Sequence, residues 1–211
     1  MKGRYIILLI LTSALVNAQD TIRLKHTNYT SIYSKSLNYP VLVEWWETKA
    51  KVGCKVPLKR KDDFQADPLL PKETDLARDY VGSGYDRGHM CPAASNLCSG
   101  DKVQSECFYF SNMTPQPHRL NAGSWKVLEM RTRETAIVND SVHVWCGNIG
   151  SVKKVGKISI PKTCWKVIYV KKTKTTTAYI FNNDDSKSDG IENNVVPVET
   201  VEKLTGYKFK R

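Results

Sequence analysis

Short apolar runs separated by polar loops constrain the fold of this chain more than any other feature of its sequence. These runs are rich in β-branched and aromatic residues, which favour strands over helices. The predicted strands cover residues 41–46, 107–110, 142–145, 158–160, 165–170, 176–181 and the short pair 195–196. A polar, Tyr-rich stretch over 19–40 precedes the first firm strand, and Pro115 and Pro117 predict irregular structure between the second and third.

Helical patterns are rarer. Residues 121–135 have apolar residues at helical spacing, and no Pro or Gly follows Gly123. The apolar positions of this segment are Trp125, Leu128 and Met130. A last short helix is predicted over 198–204, with Gly206 as its C-terminal cap. Together these patterns predict an α+β fold with a mostly antiparallel central sheet and few helices.

The N-terminus has the composition of an export signal. A positively charged start is followed by an apolar stretch over 5–15 and by a small-residue cleavage site that ends at Ala18. The apolar stretch is short for a bilayer span, which takes ~20 residues, so a cleaved signal is favoured over an uncleaved anchor. We therefore expect residues 1–18 to be a signal peptide. Residues 19–211 are expected to be a single domain, secreted or periplasmic, without stable membrane association.

Six cysteines follow the predicted signal, and an even number in an exported chain favours disulfides over free thiols. Short-range closure favours the pairs Cys98–Cys107 and Cys146–Cys164, which leaves Cys54–Cys91. A zinc site is the alternative, but the chain has no Cys-x-x-Cys pair and no Cys/His cluster at ligand spacing.

The net charge is strongly positive. It is +11 for the whole chain and falls to +9 when Lys2 and Arg4 leave with the signal. Such a charge attracts polyanions, of which nucleic acid is the most obvious. Solubility and attraction to an anionic surface fit the charge equally well, so a substrate has to be inferred from the chemistry of specific residues.

The run Asp86-Arg87-Gly88-His89-Met90 carries residue types that phosphodiester hydrolysis needs. His89 is the candidate general base, because an unperturbed histidine has a pKa of ~6.5. A lone histidine is more often structural, but the basic, oxygen-rich surroundings of His89 favour the functional interpretation. Arg87 has a planar guanidinium whose N–H donors can bind a phosphate. The alternative role for Arg87 is a salt bridge to Asp86. Asp86 itself is expected to orient the Asp-Arg-Gly turn.

A second group of candidates lies on the predicted helix. Asn121, Trp125, Glu129 and Arg133 are spaced four residues apart and share one face. The rise from Asn121 to Glu129 along a regular helix is ~12 Å, whereas a magnesium–oxygen bond is ~2.1 Å. We therefore expect Asn121 to bind the ion directly and Glu129 to hold its waters. The alternative role for Glu129 is an ion pair with Arg133 on a solvent-exposed face of the helix.

Three motifs in order resemble those of a known family. They are Gly-Tyr-Asp-Arg-Gly-His-Met-Cys-Pro-Ala-Ala over 84–94, Phe-Ser-Asn-Met-Thr-Pro-Gln over 110–116, and Asn121 with Trp125 and Glu129. They are similar to the DNA/RNA non-specific endonucleases, the ββα-metal nucleases related to the Serratia nuclease and mitochondrial endonuclease G. The resemblance spans residues 41–209. One departure is Ser95, where many relatives carry an acidic or amide residue.

The resemblance implies a role for each matching residue. His89 corresponds to the general base, Asn121 to the inner-sphere metal ligand and Glu129 to the residue that holds the metal through water. The supporting positions are Arg87 and Arg133, which contact nucleic acid, and Asn112, which orients His89 or contacts the phosphate. Arg131 is close enough in sequence to compete with Arg133, and a loop-capping role is the structural alternative for Asn112.

The resemblance also implies the reaction. The expected cofactor is Mg²⁺, with Mn²⁺ as a substitute, and the expected substrates are DNA and RNA. Water attacks in line, the 3′ oxygen leaves beside the metal, and the products carry 5′-phosphates.

Two other functions fit parts of the sequence. A non-catalytic polyanion-binding protein on the same fold fits the charge and the export signal. It would be expected to lack one of His89, Asn121 and Glu129, all of which are present. A metal-dependent phosphodiesterase acting on small nucleotides fits the same motifs. The sequence predicts no particular oligomeric state.

Overall fold

Strands form where the sequence has its β-branched and aromatic runs, and the computed structural model describes residues 20–70, 76–186 and 190–209. Within these residues the strands are β1 (Thr21–Lys25), β2 (Thr30–Ser34), β3 (Tyr39–Thr48), β4 (Asp86–His89), β5 (Met113–Gln116), β6 (Ser141–Ile149), β7 (Lys153–Val155), β8 (Ile158–Ile160), β9 (Thr163–Val170), β10 (Thr175–Asn182) and β11 (Val195–Val196). The α-helices are α1 (Lys49–Val52), α2 (Ala77–Tyr80), α3 (Asp101–Glu106), α4 (His118–Leu120), α5 (Lys126–Asn139) and α6 (Val198–Thr205). The predicted signal peptide, residues 1–18, lies outside the described residues.

One sheet forms the centre of the fold, with strand order β1-β2-β3-β6-β9-β10-β11. Every neighbouring pair in it is antiparallel. The register sets Val43 opposite Cys146 and Trp45 opposite Val144, so these four buried side chains share one face. The predicted α+β fold with a mostly antiparallel sheet is therefore confirmed.

The two faces of the sheet pack against different helices. α5 covers one face through its buried side chains Leu128, Thr132 and Ala136. α6 covers the other through Val198 and Val201, which pack in a cluster with Trp165. As predicted, α6 ends at Gly206, which has φ 75° and donates its N–H to the Glu202 carbonyl. No helix in the described part of the chain has both the length and the apolar character needed to cross a bilayer.

β4 and β5 form a separate two-stranded ribbon, although a turn at 86–88 and irregular structure at 115–117 were predicted. The predicted turn is wrong, and the predicted irregular structure is wrong for 115–116 but holds at Pro117. Pro115 lies in β5, opposite Arg87. A two-stranded ribbon tolerates proline because every second N–H of each strand points away from its partner.

Two further differences concern the edges of the fold. The stretch 19–40 contains the hairpin of β1 and β2. One side of this hairpin is solvated, so its sequence is polar and does not have the apolar run that predicts a strand. The predicted strand over 107–110 is wrong, because this segment follows α3 as a turn and enters a short 3₁₀ helix at Phe110–Asn112. Phe108 and Phe110 are buried by loop packing, which sequence pattern alone does not distinguish from a strand.

The predicted helix over 121–135 begins later in the structure. Asn121–Trp125 form a wide, π-type turn in which Gly123 has the non-helical angles φ −98° and ψ −115°. The regular helix α5 starts at Lys126 and continues to Asn139. The rise of a regular helix therefore does not describe the path from Asn121 to Glu129. Met130, predicted as an apolar helix position, is exposed.

The predicted cysteine pairing is also wrong. The disulfide joins Cys54 to Cys98, and Cys91, Cys107, Cys146 and Cys164 are buried free thiols. In the sheet, Cys164 is opposite Asn148 rather than Cys146. Diagonal neighbours on adjacent strands lie ~7–8 Å apart, which is too far for the Cβ separation of ~3.8 Å that a disulfide needs.

Candidate active site

Three elements converge to form the candidate active site. β4 carries His89, β5 pairs with it through Met113 opposite His89, and the turn before α5 carries Asn121. Trp125 joins these parts, because its indole N–H donates to the His89 carbonyl at 3.1 Å across 36 residues of sequence. Two distant segments thereby meet in one strand–strand–helix unit.

His89 is held in a form that can accept a proton. Burial, assisted by the positive charge of Arg60, lowers the pKa of His89 to about 3, so the imidazole is neutral at neutral pH. The Arg87 backbone acts in the opposite direction and favours the protonated ring. Nε2 is buried without a hydrogen-bond partner in the described residues. In the tautomer that carries its proton on Nδ1, the lone pair on Nε2 is available to accept a proton.

Asp86 orients Asn121. The Asn121 side-chain nitrogen donates to Asp86 Oδ2 at 2.9 Å, and a carboxylate can accept but not donate. The nitrogen of the amide therefore faces Asp86, and the amide oxygen faces away from it. The same carboxylate oxygen lies 2.8 Å from Nδ1 of the exposed His118. Asp86 is thus tied to the Asn121 segment and does not pair with Arg87.

Glu129 is partly buried and lies among other charged side chains. Burial raises the pKa of Glu129 to about 7, against the opposing positive charges of Lys166 and Arg133. Lys166 is 1% exposed, and its ammonium lies 4.1 Å from the centroid of the Trp125 ring. Glu47 adds a second carboxylate, whose pKa is also raised by burial. The sequence did not single out Lys166 or Glu47, because a charged residue on a strand is most often exposed.

The structure favours Arg133 over Arg131 as the arginine of this group. Nη1 of Arg133 is buried and has no hydrogen-bond partner among the described residues. Arg131 is exposed and forms an ion pair with Glu192. Of the two arginines, only Arg133 therefore has a buried N–H group that is free to donate to a phosphate.

Arg87 lies against two aromatic rings. Its guanidinium is 5.1 Å from the centroid of Phe64 and 5.6 Å from that of Tyr80. Its Nε is buried without a partner in the described part of the chain. The rings restrict the guanidinium while leaving donors free, which suits binding of an anion.

Arg60 is a site residue that the sequence motifs did not reveal. Its guanidinium lies 5.1 Å from the centroid of Phe108, and its charge acts on both His89 and Glu129. Its place in the basic run over 55–61 is the one signal that could have identified it.

Asn112 is buried, and its side chain holds the backbone that follows His89 through hydrogen bonds. Its Oδ1 accepts the N–H of Cys91, and its Nδ2 donates to the carbonyls of Cys91 and Cys107. A phosphate contact would require breaking these bonds. The position therefore favours the orienting role over the phosphate contact.

The residues around His89 suit a hard cation bound largely through water. Within residues 20–70, 76–186 and 190–209, no group of three or more His, Cys, Asp and Glu residues could hold a metal ion. The oxygen donors of the candidate set are the Asn121 amide, whose nitrogen is held by Asp86, and the Glu129 carboxylate. Mg²⁺ prefers oxygen ligands and keeps several of its waters, so this sparse donor set fits it.

A cavity of about 570 Å³ lies elsewhere in the molecule. Leu42, Trp145 and Tyr207 are among its lining residues, and none of the candidate site residues contributes to it.

Comparison with known proteins gives a consistent set of relatives. The chain is similar to a nuclease of Nostoc sp., 29% identical over 205 residues that cover 90% of this chain and 73% of that protein. It is similar to the human mitochondrial nuclease EXOG, 29% identical over 209 residues that cover 87% of this chain and 55% of that protein. Human mitochondrial endonuclease G is 28% identical over 170 residues, 72% of this chain and 57% of that protein. The chain spans about half the length of these mitochondrial relatives.

The fold is shared with a solved structure. A chain in the crystal structure of the EndoG/EndoGI complex matches with a TM-score of 0.79 and 27% identity, covering 89% of this chain and 84% of that chain. The family model for DNA/RNA non-specific endonucleases matches residues 11–211. Since that match covers nearly the whole sequence, this chain belongs to the DNA/RNA non-specific endonuclease family.

Proposed function

We propose that this protein is an exported, Mg²⁺-dependent endonuclease that hydrolyses DNA and RNA with little sequence specificity and leaves 5′-phosphate ends. The observation that carries this proposal is the neutral His89 imidazole, whose unpartnered Nε2 lies in the same unit as Asn121. We assign residues 19–211 to the nuclease domain and residues 1–18 to its signal.

His89 takes the proton of the attacking water at Nε2. The bond from Trp125 to the His89 carbonyl fixes the backbone that carries the ring, and the ring packs edge-on against Phe108. A substrate phosphate near the ring raises the pKa of His89 from its low value, because a negative charge favours the imidazolium. Substrate binding therefore makes His89 a stronger base at the moment it is needed.

Two arginines bind the phosphate that is cut, and a third adds positive charge beside it. Arg87 and Arg133 each have a buried nitrogen without a partner in the described residues, and Arg60 adds charge from the side of His89. Their donors neutralise the charge that develops on the non-bridging oxygens.

Asn121 and Glu129 hold the cation. The Asn121 oxygen is the direct ligand and Glu129 acts through water, with Asp86 fixing the Asn121 amide. Mg²⁺ bound there supplies stabilisation of the negative charge on the leaving 3′ oxygen, and Mn²⁺ can replace it. Glu129 has to be ionised for this task, and the positive charges of Lys166 and Arg133 favour that form.

Two features support export. The Cys54–Cys98 disulfide fits an oxidising compartment. The charge pattern of the N-terminus fits a cleaved signal. A non-catalytic polyanion-binding protein is less well supported, because every expected catalytic group is present.

A cleavage assay tests the proposal. The protein spanning residues 19–211 is incubated with plasmid and with RNA, in Mg²⁺ and in EDTA, and product ends are mapped with a 5′-phosphate-dependent exonuclease. We expect cleavage of both substrates in Mg²⁺ alone. Intact substrates under every condition would refute the proposal.

A matched pair of variants tests the base. His89→Ala should lose ~100-fold or more in rate, the usual range for a general base, and should still fold. His143→Ala is the control, because His143 is another histidine whose pKa is lowered by burial, to about 4, and it stacks on Trp46 away from the site. Equal rates for His89→Ala and His143→Ala would exclude His89 as the base.

A further inference from the structure

The hairpin of β7 and β8, residues 153–160, carries charge that the proposed chemistry does not use. We call it the basic hairpin, because Lys153, Lys154 and Lys157 are exposed on it. No ion pair among the described residues involves Lys153 or Lys154. Exposed lysines are most often only solvated, so the surroundings of the hairpin decide what it can do.

The basic hairpin is anchored firmly beside the ribbon. Ile158 is 1% exposed and belongs to the buried cluster that contains Met113 of β5. At the turn, Gly156 has φ +56°, and a Cβ there would lie 1.7 Å from Asp79 Oδ1. The Lys157 backbone N–H donates to the same oxygen at 3.1 Å. The turn of the hairpin and the start of β8 are therefore packed against the protein.

Lys153 reaches the segment that leads into β4. Its ammonium lies 5.3 Å from the centroid of the Tyr85 ring. Tyr85 immediately precedes Asp86, whose carboxylate holds the Asn121 amide. The charge of the basic hairpin therefore lies at the edge of the unit that contains His89 and Asn121.

We propose that the basic hairpin binds the phosphate backbone of nucleic acid next to the phosphate that is cut, with Lys153 and Lys154 as its contacts. This inference rests on the proposed nuclease function and adds a subsite that short substrates do not reach. Each ammonium neutralises one phosphate as a point charge and releases condensed counterions. Because the hairpin is anchored, little conformational freedom is lost on binding. The enzyme therefore favours long strands over dinucleotides.

The test compares two double variants with equal loss of charge. Lys153→Ala/Lys154→Ala removes the proposed contacts. Lys171→Ala/Lys172→Ala is the control, because these exposed lysines follow the far end of β9. The near end of that strand contacts the ribbon, where Gln116 Nε2 lies 3.5 Å from Cys164 Sγ. Eight residues of strand separate the two ends by about 25 Å.

Binding is measured first, without cleavage. A short fluorescent DNA duplex is titrated in EDTA at several salt concentrations, and the slope of log K against log salt is determined. Each duplex phosphate contact contributes ~0.9 to this slope, so Lys153→Ala/Lys154→Ala should reduce it by about 1.8. The control pair should leave the slope close to that of the wild type.

Cleavage is measured second, in Mg²⁺. For long DNA, Lys153→Ala/Lys154→Ala should raise KM with little change in kcat, whereas dinucleotide cleavage should match the wild type. An unchanged slope, or an equal reduction in the control pair, would overturn the subsite. If the wild type cuts no substrate, the proposed nuclease function fails, and the EDTA binding measurements still decide whether the hairpin binds the backbone.

Discussion

Replacing Gly88 with alanine should disable the site without removing any group that touches substrate. Gly88 lies in β4, one residue before His89. A Cβ on Gly88 would lie 2.1 Å from Oε1 and 2.8 Å from Cγ of Gln116, a fully buried side chain. Ordinary contact begins at 3.4 Å, so the side chain or the strand has to move by roughly 1 Å.

The size of the effect follows from this displacement. Overpacking of this kind costs ~1–3 kcal/mol of stability. Because His89 is the next residue, the shift of β4 is passed to the imidazole, and a misplacement of ~1 Å can cost ~100-fold in rate. Urea unfolding and plasmid cleavage by Gly88→Ala measure the two effects separately.

A second substitution tests the cause. Gln116→Ala removes the clashing atoms, and few polar contacts are lost with them, because Oε1 has no partner among the described residues and Nε2 makes only a 3.5 Å contact with Cys164. Gly88→Ala/Gln116→Ala should therefore recover most of the stability and rate lost by Gly88→Ala. A wild-type rate for Gly88→Ala, or no recovery in the double variant, would refute the reasoning.

Three other predictions concern the cation and the disulfide. Asp86→Ala releases the Asn121 amide. Because loss of a group that orients a metal ligand typically costs ~10–100-fold in affinity, Mg²⁺ binding should weaken by that factor. Titration calorimetry measures the Mg²⁺ affinity. Because burial raises the pKa of Glu129 to about 7, this carboxyl is protonated below that pH, so Mg²⁺ affinity should rise from pH 6 to 8 with release of a proton. The pKa of Glu129 in the folded protein is above its ordinary value of 4.5. The metal-free protein should therefore lose stability as the pH rises from 4.5 to about 7. Removing the Cys54–Cys98 link, which spans 44 residues, should cost about 4 kcal/mol in urea unfolding.

Each of these predictions has a control. His118→Ala removes the other partner of Asp86 and should change Mg²⁺ affinity far less, because His118 is exposed. Glu129→Gln should abolish the pH dependence, and the same dependence in that variant would assign it to another group. Adding reductant should destabilise the wild type and leave Cys54→Ser unchanged; equal stability of both proteins without reductant would show that the link contributes nothing.

Much of the site could be predicted from the sequence because hydrolysis restricts the residue types that can serve it. His89, Asn121 and Glu129 stand in ordered motifs, and Trp125 was already placed among them. Arg60 and Lys166 could not be found this way, since both reach the site from segments outside the motifs. Neither has a local pattern that separates it from the many exposed basic residues of this chain.

Parts of the fold could likewise be predicted from the sequence, and other parts could not. The β-branched strands of the central sheet and the cap at Gly206 depend on neighbours along the chain, so local sequence was sufficient to predict them. The ribbon strand that contains Pro115 was missed because pairing with β4 overrides the local preference of proline.

The sequence by itself determined the fold class, the order of the motifs and the residue types available for catalysis, because these depend on local propensity and chemical identity. Only the tertiary structure decided that Cys54 pairs with Cys98 and that Asp86 holds Asn121. It also decided that the pKa of His89 is low while that of Glu129 is high. The physical reason is that pairing and pKa depend on burial and on charges brought close by folding, and these neighbours lie tens of residues away in the chain.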